Sequence, residues 1–188
     1  MQNIRTFIAH PVPEEWKNVL LENAELLNEG LQSKIAWVKP ENMHFTLKFS
    51  GDIPEDAIPR VDPILKAIRF DPFEISTGPS GYFPSPIKPR VIWIGLTCGS
   101  KEICDNALAI NNALAPLGFA KNTKPYHAHL TLGRVKKQAK DNWAALSDKI
   151  GNLSLPNSTI SEFTLFQSEL TPAGPIYTKL KTYTGRPD

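Results

Sequence analysis

The chain has 188 residues, with 21 Lys and Arg, 19 Asp and Glu, and a formal net charge of +2 at pH 7. This length is enough to bury a core in one domain or in two closely packed lobes. No stretch is apolar for long enough to span a bilayer, and Cys98 and Cys104 lack the companions of a metal-binding motif. The sequence therefore predicts a cytoplasmic protein with reduced thiols and no membrane contact.

Positive charge is concentrated in one part of the chain. From Asn106 to Lys140 there is no Asp or Glu. The basic residues of this stretch are Lys121, Lys124, Arg134, Lys136, Lys137 and Lys140. Such a run is most often a solvated face, but a phosphate-bearing partner would be attracted to it.

The first half alternates strand-like and helix-like segments. An apolar run over 4–9 predicts a strand, and Pro13-Glu14-Glu15 opens a helix that Gly30 ends. A second strand over 43–49 ends where Gly51 turns the chain. A helix over 57–68 and a strand over 70–77 follow, and the Gly, Pro and Ser of 79–89 predict a linker between two lobes.

The second half, from Arg90 onwards, shows the same order of elements. A strand over 90–96 precedes a helix that Gly118 ends, and a further strand begins at about Tyr126. A short helix around Trp143 and two closing strands over 160–167 and 176–184 complete the chain. We expect an α+β fold with lobes over about 1–78 and 90–188, in mostly antiparallel sheets, with strands free to exchange between the lobes.

A tetrapeptide recurs in the two halves, as His44-Phe-Thr-Leu47 and His129-Leu-Thr-Leu132. With four histidines in the chain, about 0.03 copies are expected by chance. Each copy follows the first strand of its half at nearly the same distance, which indicates an internal duplication.

Strand alternation places one imidazole beside one hydroxyl in each half. His44 and Thr46 point to one face, as do His129 and Thr131, while the apolar residues between them point into a core. If the halves pack about a pseudo-two-fold axis, the two pairs face each other across a cleft. Two histidines can then serve as general acid and general base at neutral pH.

Alternatives remain for the residues around the second motif. A lone strand histidine is more often structural, and His127 with His129 could chelate a metal, but no acidic third ligand lies nearby in the sequence. Arg134 is either solvent-facing or a phosphate clamp, and a bulge near Gly133 would be needed to turn it into the cleft. Tyr126 either stacks on a base or packs in the core.

These motifs resemble those of the two-histidine phosphoesterases. The resemblance rests on both His-x-Thr-Leu copies, on Gly81-Tyr-Phe-Pro and Pro89-Arg-Val-Ile-Trp, and on Lys124-Pro-Tyr-His-Ala-His-Leu-Thr-Leu-Gly-Arg134. It covers nearly the whole chain and is most similar to the RNA 2′,3′-cyclic phosphodiesterases, also called 2′-5′ RNA ligases. Ala128 replaces a usual proline, Tyr126 a usual phenylalanine and Ser50 a common leucine.

The resemblance implies a duplicated bilobal fold with two sheets facing across a central cleft and helices outside. It implies hydrolysis of RNA 2′,3′-cyclic phosphate ends to 2′-phosphates, with no cofactor or metal, and reversible 2′-5′ ligation. His44 and His129 would be acid and base, and Thr46, Thr131, Arg134 and Tyr126 would bind substrate.

Two other functions remain open on the sequence alone. One is a nucleotide- or RNA-binding module without catalysis, and the other is a metal-dependent hydrolase built on His127 and His129. The expected partner is RNA with a 2′,3′-cyclic phosphate end or a small cyclic nucleotide, and a monomer is expected.

Overall fold

Two antiparallel sheets and the helices around them form the fold. The computed structural model describes residues 2–122, 124–172 and 174–186. Its strands are β1 (Asn3–Pro11), β2 (Lys34–Trp37), β3 (His44–Pro54), β4 (Phe73–Phe83), β5 (Val91–Cys98), β6 (Leu130–Lys137), β7 (Ser158–Ile160), β8 (Glu162–Thr171) and β9 (Gly174–Thr184). Its α-helices are α1 (Glu14–Glu22), α2 (Ala24–Asn28), α3 (Ile58–Lys66), α4 (Ser100–Leu114) and α5 (Trp143–Gly151).

The sheets have four and five strands. Sheet one has the order β3-β1-β8-β9, and sheet two has the order β2-β6-β5-β4-β7. All the strand pairs are antiparallel. The predicted α+β class with two antiparallel sheets is therefore confirmed.

The internal duplication is visible in the pairing of the strands. In the first half β1 leads through α1 to β3 and pairs with it, and in the second half β5 leads through α4 to β6 and pairs with it. The apolar faces of the helices cover the sheets, with Trp16 of α1 and Ile110 of α4 both fully buried. Each repeated unit is thus a two-stranded antiparallel pair with its connecting helix packed on the core.

The sheets do not follow the predicted division of the chain into 1–78 and 90–188. Strands β2 and β4 of the first half lie in sheet two, and β8 and β9 of the second half complete sheet one. The strands are therefore exchanged between the two halves.

The linker predicted over 79–89 is wrong for its first five residues, because β4 continues to Phe83. The one glycine of this segment, Gly81, marks a close approach of two strands. Gly81 lies opposite Trp93 of β5, and a Cβ atom on Gly81 would overlap the Trp93 ring. Only the short segment between Phe83 and Val91 connects β4 to β5.

Some predicted boundaries also move. The first predicted helix is divided at Asn23 into α1 and α2. Strand β3 continues past Gly51 to Pro54, because Gly51 (φ +76°) lies in a bulge rather than in a turn. The second motif strand begins at Leu130 instead of about Tyr126. Strands β2 and β7 were not predicted.

In the described residues, none of the helices combines the length and the apolar character needed to cross a membrane.

Candidate active site

The two copies of the repeated motif lie on strands of different sheets. His44 and Thr46 are on β3, Thr131 is on β6, and His129 directly precedes β6. The predicted alternation is confirmed, because the intervening apolar side chains are all buried in the core: Phe45, Leu47, Leu130 and Leu132. The four polar side chains line a cleft that both sheets contribute to.

A bulge follows each threonine. Along the β1–β3 pair the register moves from Thr46 to Lys48, and along the β5–β6 pair it moves from Thr131 to Gly133. Leu47 and Leu132 are the extra residues, so both bulges occur at the last position of the motif. An extra residue reverses the alternation that follows it.

The second bulge turns Arg134 into the cleft, as the sequence required for a phosphate clamp. Arg134 lines the same cavities as Thr131. In the first repeat the corresponding position, five residues after the histidine, is Phe49, whose side chain is exposed in the same cleft. The duplication therefore supplies one cation and one aromatic ring at equivalent positions.

The cleft consists of two adjoining chambers. The His44 chamber has a volume of about 430 Å³ and is lined by His44 together with Trp37, Lys39 and Tyr177. The His129 chamber has a volume of about 720 Å³ and is lined by His129 together with Phe83, Lys121 and Lys124. Both volumes are in the range of small-molecule sites.

Four residues line both chambers: Thr46, Phe49, Thr131 and Arg134. They mark the place where the chambers meet, between the two histidines. Two hydroxyls and a guanidinium at this place are suitable ligands for the non-bridging oxygens of one phosphate.

The ring orientation of each histidine is set by a carbonyl two residues earlier. His44 Nδ1 donates to Asn42 O at 2.7 Å, and His129 Nδ1 donates to His127 O at 2.7 Å. Because a carbonyl only accepts, Nδ1 carries hydrogen in both cases and the exchangeable position is Nε2. Each imidazole can therefore accept or donate a proton at Nε2.

Aromatic side chains pack against each imidazole. Phe7 and Tyr177 lie 4.8 and 5.4 Å from the His44 ring between centroids. Phe83 lies 5.1 Å from the His129 ring, and Trp93 lies 6.2 Å from it. These contacts restrict ring rotation and reduce the access of water to the histidines.

Burial lowers the pKa of both histidines. The pKa of His44 falls from its ordinary value of 6.5 to about 4, chiefly by desolvation; the Asn42 carbonyl opposes this, and the charges of Arg134 and His129 lower it further. Desolvation is also the main cause that lowers the pKa of His129. The hydrogen bond to the His127 carbonyl raises this pKa, whereas the charges of the His127 ring and of Arg134 lower it. Both imidazoles are therefore neutral at pH 7 in the free protein, and a phosphate between them would raise both pKa values.

Tyr126 lines the His129 chamber, but its hydroxyl is already used. It donates to Thr46 O at 2.6 Å, so it connects the segment before β6 to the first motif on β3. The ring is half-buried against the core, and this burial raises the pKa of the hydroxyl. Substrate stacking on Tyr126 stays a prediction, whereas its contact with Thr46 positions the two motifs relative to each other.

His127 is exposed, and its ring lies 4.7 Å from that of Trp93. Its carbonyl orients His129, which is a role that residue type alone does not reveal. Within the part of the chain that the structure describes, no three His, Cys, Asp or Glu residues are grouped as metal ligands would be. In both repeats the carbonyl acceptor lies two residues before the motif histidine. This shared position is the sequence signal that could have identified Asn42 and His127.

The predicted basic stretch divides between the cleft and the outer surface. Lys121, Lys124, Arg134 and Lys136 line the chambers, whereas Lys137 and Lys140 are exposed elsewhere. Among the described lining residues of both chambers there is no Asp or Glu. The cleft is thus suited to a polyanion.

The sequence profile of the family described as LigT like Phosphoesterase matches residues 11–93 and 99–177. The chain belongs to this family. The two matched stretches each contain one His-x-Thr-Leu motif. The family predicted from the motifs is therefore confirmed.

Relatives with a curated name are similar to this chain over most of its length. A Methanothermobacter thermautotrophicus protein named RNA 2′,3′-cyclic phosphodiesterase is 34% identical over 183 residues, covering 96% of this chain and 98% of its own. An Archaeoglobus fulgidus protein of the same name is 38% identical over 151 residues, covering 80% and 84%.

Solved structures of other proteins have the same fold. A Thermus thermophilus crystal structure superposes with a TM-score of 0.80 at 26% identity, covering 98% of this chain and 100% of its own. Escherichia coli LigT complexed with 3′-AMP superposes with a TM-score of 0.77 at 20% identity, covering 98% and 99%. The predicted fold of two sheets with helices is thus that of LigT-like phosphoesterases.

Proposed function

We propose that this protein hydrolyses RNA 2′,3′-cyclic phosphate ends to 2′-phosphates. The observation that carries the proposal is the pair of histidines, both with Nδ1 bonded to a carbonyl and Nε2 available, on either side of a set of phosphate ligands. The names of the curated relatives support the same reaction.

In this reaction His129 is the base and His44 is the acid. Neutral His129 takes a proton from water through Nε2 as the water oxygen attacks phosphorus. The bond from phosphorus to O3′ breaks, and protonated His44 donates its Nε2 proton to O3′. The product keeps its phosphate on O2′, and one proton has moved from water to the leaving oxygen.

Thr46, Thr131 and Arg134 bind the non-bridging phosphate oxygens. The negative charge on these oxygens grows in the transition state, and fixed donors stabilise it without reorganising. The geometry that supports this role is their shared position between the chambers.

The bound phosphate supplies the proton distribution that the mechanism needs. In the free protein the strongly lowered pKa of His44 favours its neutral form. A phosphodiester monoanion beside it stabilises the imidazolium, so His44 holds a proton in the complex. Desolvation already lowers the pKa of His129, and a positive charge on His44 further opposes its protonation, so His129 stays neutral.

Neither metal nor cofactor takes part in the proposed reaction, and the protein acts as a monomer on RNA ends. Escherichia coli LigT, which has the same fold, has been crystallised with 3′-AMP and with phosphate, and this supports a nucleotide in the cleft. The same site would also catalyse reversible 2′-5′ ligation, with a 5′-hydroxyl in place of water.

The test is incubation with an RNA oligonucleotide ending in a 2′,3′-cyclic phosphate in the presence of EDTA. We expect a 2′-phosphate product from the wild type. We expect a loss of at least about 10³-fold in His44→Ala and in His129→Ala, since each removes a proton-transfer group. Tight binding without turnover would favour the binding-module alternative, and sensitivity to EDTA would favour the metal-dependent one.

The roles of the histidines are tested with a cyclic substrate whose 3′ oxygen is replaced by sulfur, which leaves without a proton. This substrate restores turnover to His44→Ala but not to His129→Ala if His44 is the acid. The reverse pattern would exchange the two roles.

A further inference from the structure

The two chambers of the cleft have different relations to the reacting phosphorus. The residues shared by both chambers hold the phosphate, whereas His44 lines one chamber and His129 lines the other. Displacement at phosphorus places the attacking oxygen and the leaving oxygen on opposite sides. The acid and its chamber must therefore be on the leaving-group side, and the base and its chamber on the nucleophile side.

The leaving O3′ belongs to the nucleoside that carries the cyclic phosphate. This nucleoside is therefore on the His44 side, where Tyr177 and Trp37 provide aromatic surface. The oxygen on the opposite side comes from water in hydrolysis and from a 5′-hydroxyl in ligation. A strand that supplies this 5′-hydroxyl has to approach through the other chamber.

We propose that the His129 chamber is the binding site for the RNA strand that carries the 5′-hydroxyl, with Lys121 and Lys124 contacting its backbone phosphates. The inference deepens the proposed function and rests on it. At about 720 Å³ the chamber is larger than a water nucleophile needs, and Lys121 and Lys124 in its lining are suited to backbone phosphates.

The backbone on both sides of Lys121 is anchored to the body of the protein. Lys48, itself buried, donates from Nζ to Asn111 Oδ1 at 2.8 Å and to Ala120 O at 2.7 Å. Asn111 Oδ1 also accepts from Asn122 N at 3.0 Å. Lys121 lies between these two anchored residues, so its backbone is held at the chamber wall while its side chain is exposed.

The reaction in this site is balanced without any further reactant. The 5′-hydroxyl of the second strand gives its proton to His129 Nε2 and forms the bond from O5′ to phosphorus. The bond from phosphorus to O3′ breaks, and O3′ takes a proton from His44. A 2′-5′ phosphodiester results, and the reverse sequence cleaves it.

The experiment compares two reactions of the same variants. Hydrolysis is measured with adenosine 2′,3′-cyclic phosphate, and ligation is measured between an oligonucleotide ending in a cyclic phosphate and a 5′-hydroxyl oligonucleotide. The variants are Lys121→Glu/Lys124→Glu in the His129 chamber and Lys39→Glu in the His44 chamber. The control is Lys137→Glu/Lys140→Glu, which changes net charge as much as the double variant does but lies outside both chambers.

We expect Lys121→Glu/Lys124→Glu to lower ligation at least tenfold more than hydrolysis, through a higher KM for the 5′-hydroxyl strand. The control should lower both reactions by the same small factor. Equal losses of ligation and hydrolysis in the chamber variant, or a selective loss of ligation in Lys39→Glu, would overturn the assignment. A wild type that hydrolyses cyclic ends but joins no strand would also overturn it, whereas a wild type that hydrolyses nothing would overturn the proposed function itself.

Discussion

At the scale of single residues, the site combines neutral histidines with one nearby guanidinium. Arg134 lowers the pKa of both His44 and His129, although it is not the largest cause in either case. The same charge that we propose binds phosphate therefore favours the neutral form of both histidines in the free protein. Phe49 occupies the equivalent position in the first repeat and has no charge, so the electrostatic effect comes from one side of the cleft.

Replacing Arg134 should move the pH dependence of the reaction. The pH profile of kcat/KM reports the pKa values of the free enzyme, and both histidine pKa values lie below 6.5, so the optimum should lie below pH 6.5. Removing a positive charge raises both pKa values. Arg134→Met should therefore shift the whole bell-shaped profile to higher pH and raise KM about tenfold.

The pH profile is measured with a cyclic mononucleotide as substrate. The control is Lys137→Met, which removes one positive charge from the same strand, β6. A control profile that moves as far as that of Arg134→Met would show that net charge, and not the position of Arg134, is responsible. An optimum that moves to lower pH in Arg134→Met would contradict the assignment.

At the scale of elements, the bulges at Leu47 and Leu132 and the tight β4–β5 contact position the residues that line the cleft. The bulge in β6 turns Arg134 towards Thr131, and a regular strand would direct it away. On β5, Trp93 covers Gly81 and extends towards the rings of His127 and His129. The glycine therefore makes room for an aromatic wall of the site.

Gly81→Ala should disturb both stability and activity. The added methyl group overlaps the Trp93 ring, which has to move towards the His129 side or away from Phe83. Overpacking of this kind costs about 1–3 kcal/mol. The free energy of unfolding, measured with urea, and the rate of hydrolysis should both be lower than in the control Gly151→Ala. At Gly151 an added Cβ atom meets nothing within 4 Å. Wild-type stability in Gly81→Ala would show that the ring has space to yield.

At the scale of the whole molecule, the exchanged strands and one buried histidine hold the two repeats together. His10 of β1 donates from Nδ1 to Glu162 O at 2.7 Å, and its Nε2 accepts from Asn106 Nδ2 of α4 at 3.2 Å. It is fully buried between sheet one and a helix of the second repeat. Burial lowers the pKa of His10 to about 4, against the rise from its carbonyl bond.

The stability of the protein should therefore decrease on mild acidification. Above pH 6.5 His10 is neutral in the folded and unfolded chains. Between pH 6.5 and about 4 the unfolded chain binds a proton that the folded one excludes, so the free energy of unfolding falls, by about 3 kcal/mol from this residue. Protonated Nε2 would also face the Asn106 amide, which is a donor.

Urea unfolding at pH 7 and pH 4.5 measures this dependence. His10→Gln should be less stable at pH 7 but should lose less stability between the two pH values than the wild type. Exposed His127→Gln serves as the control and should keep the wild-type difference. An unchanged pH difference in His10→Gln would contradict the role of His10.

The sequence by itself determined the repeated units, the faces of the motif strands, the family and the candidate groups His44, Thr46, His129, Thr131 and Arg134. These features depend on local periodicity and on a repeat, and both can be read without knowing the packing. A count of residues along one strand showed that Arg134 would need a bulge near Gly133 to face the cleft, and the structure supplied that bulge.

Only the tertiary structure decided which sheet each strand joins, and with it the shape of the cleft. Strand pairing depends on contacts between residues far apart in the chain, so no local pattern placed β9 and its Tyr177 beside His44, or β4 and its Phe83 beside His129. The same long-range packing put Lys121 and Lys124 on a chamber wall and left Lys137 outside, although all three belong to one basic run.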